Sequence, residues 1–194
     1  MNEPLLLPLN AAIEILEALG LRYALVGGLA VSAWGALRTT RDIDLYADLP
    51  EGVRPLLKRE LESRDFEVPA MSEELQQFGM FRSLFRPTRT FLDIFDAGTP
   101  LGEAILDRRR EAMVIDRKMW TISPEDLALL KAFSDRERDF GDLTKLLGVL
   151  GKSLDIAYIE GWARELDRSI GGDEVSERLR RAREEASKRV RRKR

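Results

Sequence analysis

Between Tyr23 and Tyr46 the chain sets a short apolar run, Tyr23-Ala24-Leu25-Val26, directly before the pair Gly27-Gly28. A helix-compatible stretch from Leu29 to Trp34 follows, and then Asp42-Ile43-Asp44. A short apolar run bounded by glycine reads as a buried strand, so the glycines fall at a strand-to-helix turn. Backbone N–H groups at a helix start attract phosphate, and glycine lets an anion come close. Side chains along a strand alternate faces, which sets Asp42 and Asp44 on one side and turns Ile43 and Leu45 to the core. Two like charges on one face repel unless a cation or a basic group sits between them. Paired carboxylates suit Mg²⁺, which takes hard oxygen ligands and is commonly held by one or two carboxylates plus its substrate's phosphates. A bare turn and a solvated strand edge is the plainer reading, but it leaves two acids within an otherwise apolar strand unexplained.

Histidine and cysteine are both absent. No imidazole or thiolate is available as base, nucleophile or metal ligand, which excludes Ser-His-Asp hydrolases, histidine-dependent HEPN-type ribonucleases and most zinc enzymes. Chemistry in this chain must run on carboxylates, Lys, Arg, Ser, Thr or Tyr. A length of 194 residues permits one domain with a small appendage and a sizeable core. No apolar run is long enough to span a membrane, and Met1-Asn2-Glu3-Pro4 lacks the start of a signal peptide, so the expectation is a cytoplasmic protein with no membrane partner.

Leu25-Val26-Gly27-Gly28, followed by Arg38-Thr39-Thr40-Arg41-Asp42-Ile43-Asp44-Leu45, resembles the nucleotidyltransferase signature of the DNA polymerase β superfamily over about the first half of the chain. The double glycine with Arg-x-Thr-x-Asp-x-Asp is similar to the AbiEii-like branch of abortive-infection and toxin–antitoxin systems. The resemblance implies an α+β nucleotidyltransferase fold, a small mixed sheet flanked by helices and followed by a helical region. It implies transfer of a nucleoside monophosphate from an NTP to a hydroxyl, with Mg²⁺ or Mn²⁺ as cofactor, held by Asp42 and Asp44. Gly27 and Gly28 would hold the β- and γ-phosphates, Arg38 or Arg41 would neutralise them, and Thr40 would anchor the loop or a phosphate oxygen. The usual Gly-Ser pair is Gly27-Gly28 here, and Ser32, one turn later, is a possible substitute for the missing hydroxyl.

A third acid stands in Phe91-Leu92-Asp93-Ile94-Phe95-Asp96. Met80 to Phe85 and Thr90 to Phe95 read as two strands joined by a turn near Pro87, and an acid within such a strand is costly unless paired or metal-bound. The resemblance implies a third carboxylate from a neighbouring strand, as metal ligand or proton acceptor. Asp93 fits better than Asp96, which ends the strand and reads as a turn or capping residue.

The remaining elements follow from caps and breakers. Asn10 reads as the N-cap of a helix from Ala11 to Leu19, Leu49-Pro50 opens a charged helix, and Phe66-Glu67-Val68 reads as a strand. Glu73 to Phe78 is ambiguous. Leu101 to Arg110 reads as a helix, and Met113–Ile115 with Met119–Ile122 as a hairpin turning at Asp116-Arg117-Lys118. Ser123-Pro124-Glu125-Asp126 is a helix start, with Gly141 as a break further on and Ser169-Ile170-Gly171-Gly172 as a linker. The expected organisation is a catalytic domain over 1–122, a helical region over 123–170 and a basic tail, helical or disordered, over 171–194.

Ser123 to Leu143 is similar to the helical region of the toxin-type enzymes, which implies that Lys131 faces the triphosphate and that Asp139 and Asp142 brace the helices or Lys131 itself. An ordinary surface pair of Lys131 with Asp135 is the alternative. The tail from Arg178 is rich in Arg and Lys although the net charge is only −2. It reads either as a phosphate-binding block for RNA or as a solubilising helix end. The expected acceptor is RNA, a tRNA 3′ end above all. The alternatives are a partner protein such as a cognate toxin or antitoxin, a small-molecule hydroxyl, or no transfer at all in a nucleotide-binding module.

Overall fold

The apolar runs assemble into one mixed sheet in the computed structural model, which describes residues 3–69 and 79–192. Its strands are β1 (Tyr23–Leu25), β2 (Ile43–Ala47), β3 (Phe66–Glu67), β4 (Met80–Phe85), β5 (Thr90–Asp96), β6 (Arg110–Val114) and β7 (Arg117–Thr121), in the order β3-β4-β5-β2-β1-β7-β6. β2 is parallel to β5 and β1 to β7, and the other neighbours are antiparallel. The helices among the described residues are α1 (Glu3–Ala18), α2 (Gly27–Ala33), α3 (Val53–Glu62), α4 (Pro100–Arg108), α5 (Pro124–Phe133), α6 (Glu137–Leu150), α7 (Ile156–Ile170) and α8 (Glu174–Arg192). This is the expected α+β architecture. The chain divides into two compact units, one of Met1–Ala30 with Arg38–Ile122 and one of Val31–Leu37 with Ser123–Arg194.

In the first unit, alternation gives the sheet two unlike faces. Ile43 and Leu45 of β2 and Leu92 and Ile94 of β5 are fully buried and form a core with Leu9, Ile13 and Leu16 of α1, Leu57 and Leu61 of α3, and Ile105 and Leu106 of α4. The residues between them, Asp44 and Asp93 among these, belong to the opposite face. α1 begins eight residues before the expected start at Ala11 and contains Pro8. Pro8 removes one backbone donor near the helix start, and the burial of Leu5 and Leu9 offsets that loss. Asn10 is therefore no cap; its Oδ1 accepts from Arg117 Nη1 at 3.3 Å. The β6–β7 hairpin turns on two residues, Ile115-Asp116, instead of three, since Val114 pairs with Arg117 and Ile115 takes a φ of 62°.

In the second unit, α5 packs against α6, α7 and α8. Ser123 caps α5 as expected, its Oγ accepting from the Asp126 N–H at 3.1 Å. Gly141 does not break the chain: α6 runs through it, because Phe140, Leu143, Leu146 and Leu147 are buried together and outweigh the low helix propensity of one glycine. The expected linker is also helical up to Ile170, with Gly171 closing α7. α8 then buries Val175, Leu179, Ala182 and Ala186. Glu73 to Phe78 lies outside the described residues.

Candidate active site

The glycine turn and the acidic strand meet in the first unit. Val26 N–H donates to the Asp44 carbonyl at 2.9 Å, and Leu25 pairs with Leu45, so the start of α2 lies beside Asp44. Gly27 has a φ of +63°, and a Cβ there would fall 1.9 Å from Asp44 Oδ2. Gly28 is as tightly enclosed: its Cβ would lie 2.7 Å from Thr40 Cβ and 3.2 Å from Arg38 Nε. Real Cβ atoms essentially never come as close as the contacts to Asp44 and to Thr40 Cβ, so both glycines make room for the residues the sequence assigns to the site. Thr40 anchors the loop, its Oγ1 donating to the Asp42 carbonyl at 3.3 Å. Asp42 precedes β2, which starts at Ile43, and is exposed, as is Arg41; Arg38 and Asp44 are half-buried.

Strand register brings in the third acid. Asp44 pairs directly with Asp93 across the parallel β2–β5 ladder, and Tyr46 with Phe95, whose rings stack at 5.7 Å. Asp93 is only 6% exposed. Asp96 has the turn role expected of it: Oδ1 accepts from Gly98 N–H and Oδ2 from Arg54, each at 3.2 Å.

The residue that sequence reasoning missed is Arg82. It pairs with Asp93 across the antiparallel β4–β5 ladder, and its Nε and Nη2 donate to Asp93 Oδ1 and Oδ2 at 2.7 Å each. Its guanidinium also lies 5.2 Å from the centre of the Phe91 ring. The hydrogen bonds to Asp93 hold Arg82 above its ordinary pKa, against its partial desolvation, and the charges of Asp93, Asp42 and Asp44 add to this. The clue was present in Met80–Phe85, where a lone arginine interrupts an apolar strand beside another that carries a lone acid. Pairing the two requires the hairpin register, which the sequence does not state.

Among the described residues, no three carboxylates stand close enough together to hold a metal ion as arranged. The three-acid set is not preassembled, and Arg82 provides the cation beside Asp93. The donor chemistry nevertheless fits a hard divalent ion: all three groups are carboxylates, and one or two of them suffice when the substrate's phosphates supply the other ligands.

Ser32 and Lys131 belong to the second unit. Ser32 is half-buried near the end of α2. Lys131 is buried on α5, with its ammonium hydrogen-bonded to Asp139 and 3.9 Å from Asp142, which is the bracing expected of those acids and not a pair with Asp135. Burial pushes the Asp139 carboxyl up, but hydrogen bonds from Lys131 and Ser134, with the charges of Lys131 and Arg136, outweigh it and bring it to about 2. Asp126, read as a first-turn acid, is buried too and accepts from Ser123 Oγ at 2.5 Å and Tyr158 Oη at 2.6 Å.

Much of the basic segment is committed inside the same unit. Arg180 pairs with Glu177 and Glu184, Arg183 with Glu160, and Arg189 with Glu185, while Arg178 and Arg181 lie over the Phe140 ring at 5.3 and 5.4 Å. No helix among the described residues is long and apolar enough to cross a membrane.

No family model matches the chain, and no curated protein matches it in sequence. Solved structures do match. The solution structure of the antibiotic-resistance factor ANT(2'')-Ia aligns with a TM-score of 0.64 at 15% identity, over 88% of this chain and 97% of that one. The lincomycin-bound lincosamide antibiotic adenylyltransferase LnuA aligns at 0.52 and 21%, over 71% and 92%. An antigenic nucleotidyltransferase-like protein from Paracoccidioides brasiliensis aligns at 0.51 and 19%, over 90% and 92%. The chain has the nucleotidyltransferase fold; the narrower AbiEii-like branch does not follow from these matches.

Proposed function

We propose that the chain is a metal-dependent nucleotidyltransferase that moves a nucleoside monophosphate from an NTP to a hydroxyl acceptor and releases pyrophosphate. The observation that carries this reading is the close fit of Gly27 to Asp44: a phosphate-compatible turn and a carboxylate strand share one space, with no room for a Cβ between them. Asp93, in register with Asp44, adds a carboxylate suited to take a proton.

In this reading Asp42 and Asp44 would hold the divalent ion, and Asp93 would serve as a third ligand or as the base. When bound, the ion supplies charge neutralisation at the triphosphate. The chain's residues do the positioning. The Gly27-Gly28 turn offers backbone N–H groups to the phosphates, and Arg38 and Arg41 offset their charge. Thr40 keeps the Asp42 backbone in place. Asp93 accepts the proton of the attacking hydroxyl as its oxygen bonds to the α-phosphorus and the bond to pyrophosphate breaks in line. The resemblance implies a triphosphate contact for Lys131, while its burial beside Asp139 and Asp142 supports a bracing role within its own unit. Ser32 keeps its proposed role as the substitute hydroxyl.

A small hydroxyl-bearing molecule is the acceptor we favour. ANT(2'')-Ia, whose fold this chain shares, has been seen with adenylyl-2''-tobramycin. The toxin–antitoxin setting, with a tRNA 3′ end or a partner protein as acceptor, is the competing reading. The test supplies each α-labelled NTP with Mg²⁺ or Mn²⁺ to wild type and to Asp42→Ala/Asp44→Ala, alongside a panel of aminoglycosides and other polyols, total RNA, or cell lysate. Label on a small molecule that is lost in the variant supports the proposal. Label on RNA or on a protein band moves the acceptor, and no label together with no metal-dependent NTP binding rejects the activity.

A further inference from the structure

Resting on that reading, we propose that Arg82 is the resting counter-ion of Asp93 and that loading the site with a divalent ion and NTP displaces it, so that Arg82 gates the third carboxylate. Register puts Arg82, Asp93 and Asp44 in one row across β4, β5 and β2. Adjacent acids on neighbouring strands need a cation between or beside them, and the chain carries its own. The guanidinium engages both oxygens of Asp93 in a two-pronged geometry, so both are occupied before any other cation can bind them.

The two partners are unequally anchored. The Asp93 side chain is 8% exposed on a central strand, whereas that of Arg82 is 41% exposed at the end of a long flexible stem. The arginine is therefore the partner with room to move, and its guanidinium already lies over the exposed Phe91 ring while it pairs with Asp93. Arginine keeps its proton, so loss of the guanidinium charge does not open this gate. Exchange of one cation for another does. Asp42 and Asp44 also attract Arg82. A divalent ion that takes up their charge weakens the hold on the guanidinium while competing for Asp93.

The test measures metal binding directly. Mn²⁺ is titrated by electron paramagnetic resonance into the full chain with α,β-methylene-ATP, for wild type, Arg82→Gln, Arg82→Lys, Asp93→Asn and the double variant Arg82→Gln/Asp93→Asn. Arg82→Gln should bind Mn²⁺ on the order of tenfold tighter, with Arg82→Lys between it and wild type, because a competing charge-assisted pair is removed or weakened. In the Asp93→Asn background the Arg82→Gln gain should vanish. Equal affinity in wild type and Arg82→Gln, or a gain that persists without Asp93, overturns the gate and leaves Arg82 a permanent structural partner. Should Arg82→Gln fail to fold by circular dichroism, Arg82→Lys alone and with Asp93→Asn answers the same question. Wild type that binds neither Mn²⁺ nor the nucleotide rejects the nucleotidyltransferase reading itself, an outcome distinct from failure of the gate alone.

Discussion

Arg82 in the first unit and Lys131 in the second are both cations set against carboxylates, yet their surroundings differ. The Arg82 side chain is 41% exposed and that of Lys131 9%. Arg82 reaches Asp93 from one side of a row that continues to Asp44. Lys131 sits between Asp139 and Asp142 in a helical core, where Ser134 and Arg136 complete the shell around Asp139. A buried pair whose partners have no other solvation is held strongly, because either charge alone is costly to leave. A pair with one exposed member leaves that member solvated when it separates, so a second cation at the buried carboxylate can take its place. The same chemistry thus yields a fixed brace in one place and an exchangeable contact in the other.

The largest effect expected from probing this contrast is on activity. Asp44→Asn should lower nucleotidyl transfer by about a thousandfold, read as pyrophosphate release, with little change in the folded state, since the lost charge serves the ligand more than the fold. In the second unit the order reverses. Asp139→Ala should cost about 3 kcal/mol in urea unfolding, because it strips the main partner from a buried ammonium. The pH dependence follows from the low Asp139 value of about 2 against an ordinary 3.8. The folded state binds this proton less readily than the unfolded chain, so the stabilisation is fully present above about pH 5 and is lost as pH falls toward 2. Wild type and Asp139→Asn should therefore converge in stability in that acid window, and a gap that persists there would show that the carboxylate charge is not what Asp139 contributes.

Gly27→Ala tests whether the turn and the acidic strand share one space. The new Cβ meets Asp44 and the backbone has a φ of +63°, so a loss of about 2 kcal/mol together with weaker Mn²⁺ binding is expected. Unchanged metal binding would separate the glycine turn from the site. Smallest is Gly141→Ala in α6, where an added Cβ meets nothing within 4 Å. It should raise stability by about 0.5–1 kcal/mol, observable as a small shift in thermal midpoint.

Local signals in the sequence reached a long way. Tyr23-Ala24-Leu25, the pair Gly27-Gly28, and the strands at Met80–Phe85 and Thr90–Phe95 are where alternation and breakers place them. Ser123 caps α5, and Asp96 ends its strand as a turn residue. These features rest on steric and hydrogen-bond preferences that operate within a few residues, so a reading of neighbours suffices. Gly141 misled for the opposite reason: a glycine weakens a helix by about 1 kcal/mol, and burial of Phe140, Leu143 and Leu147 exceeds that by a wide margin.

The arginines of α8 show the same limit in electrostatics. Their charge is plain in composition and most of them are exposed, but which of Glu160, Glu177, Glu184 and Phe140 each one meets depends on helix phase and packing. The sequence by itself determined which chemistry is available, carboxylates without histidine or cysteine, and where the glycine turn and the acidic strand lie. Only the tertiary structure decided that Asp44 stands beside Asp93, that Arg82 stands on the other side of Asp93, and that Lys131 is enclosed. Those facts depend on strand register and helix packing between segments tens of residues apart, where the free energy comes from the burial of whole faces and no local pattern records it.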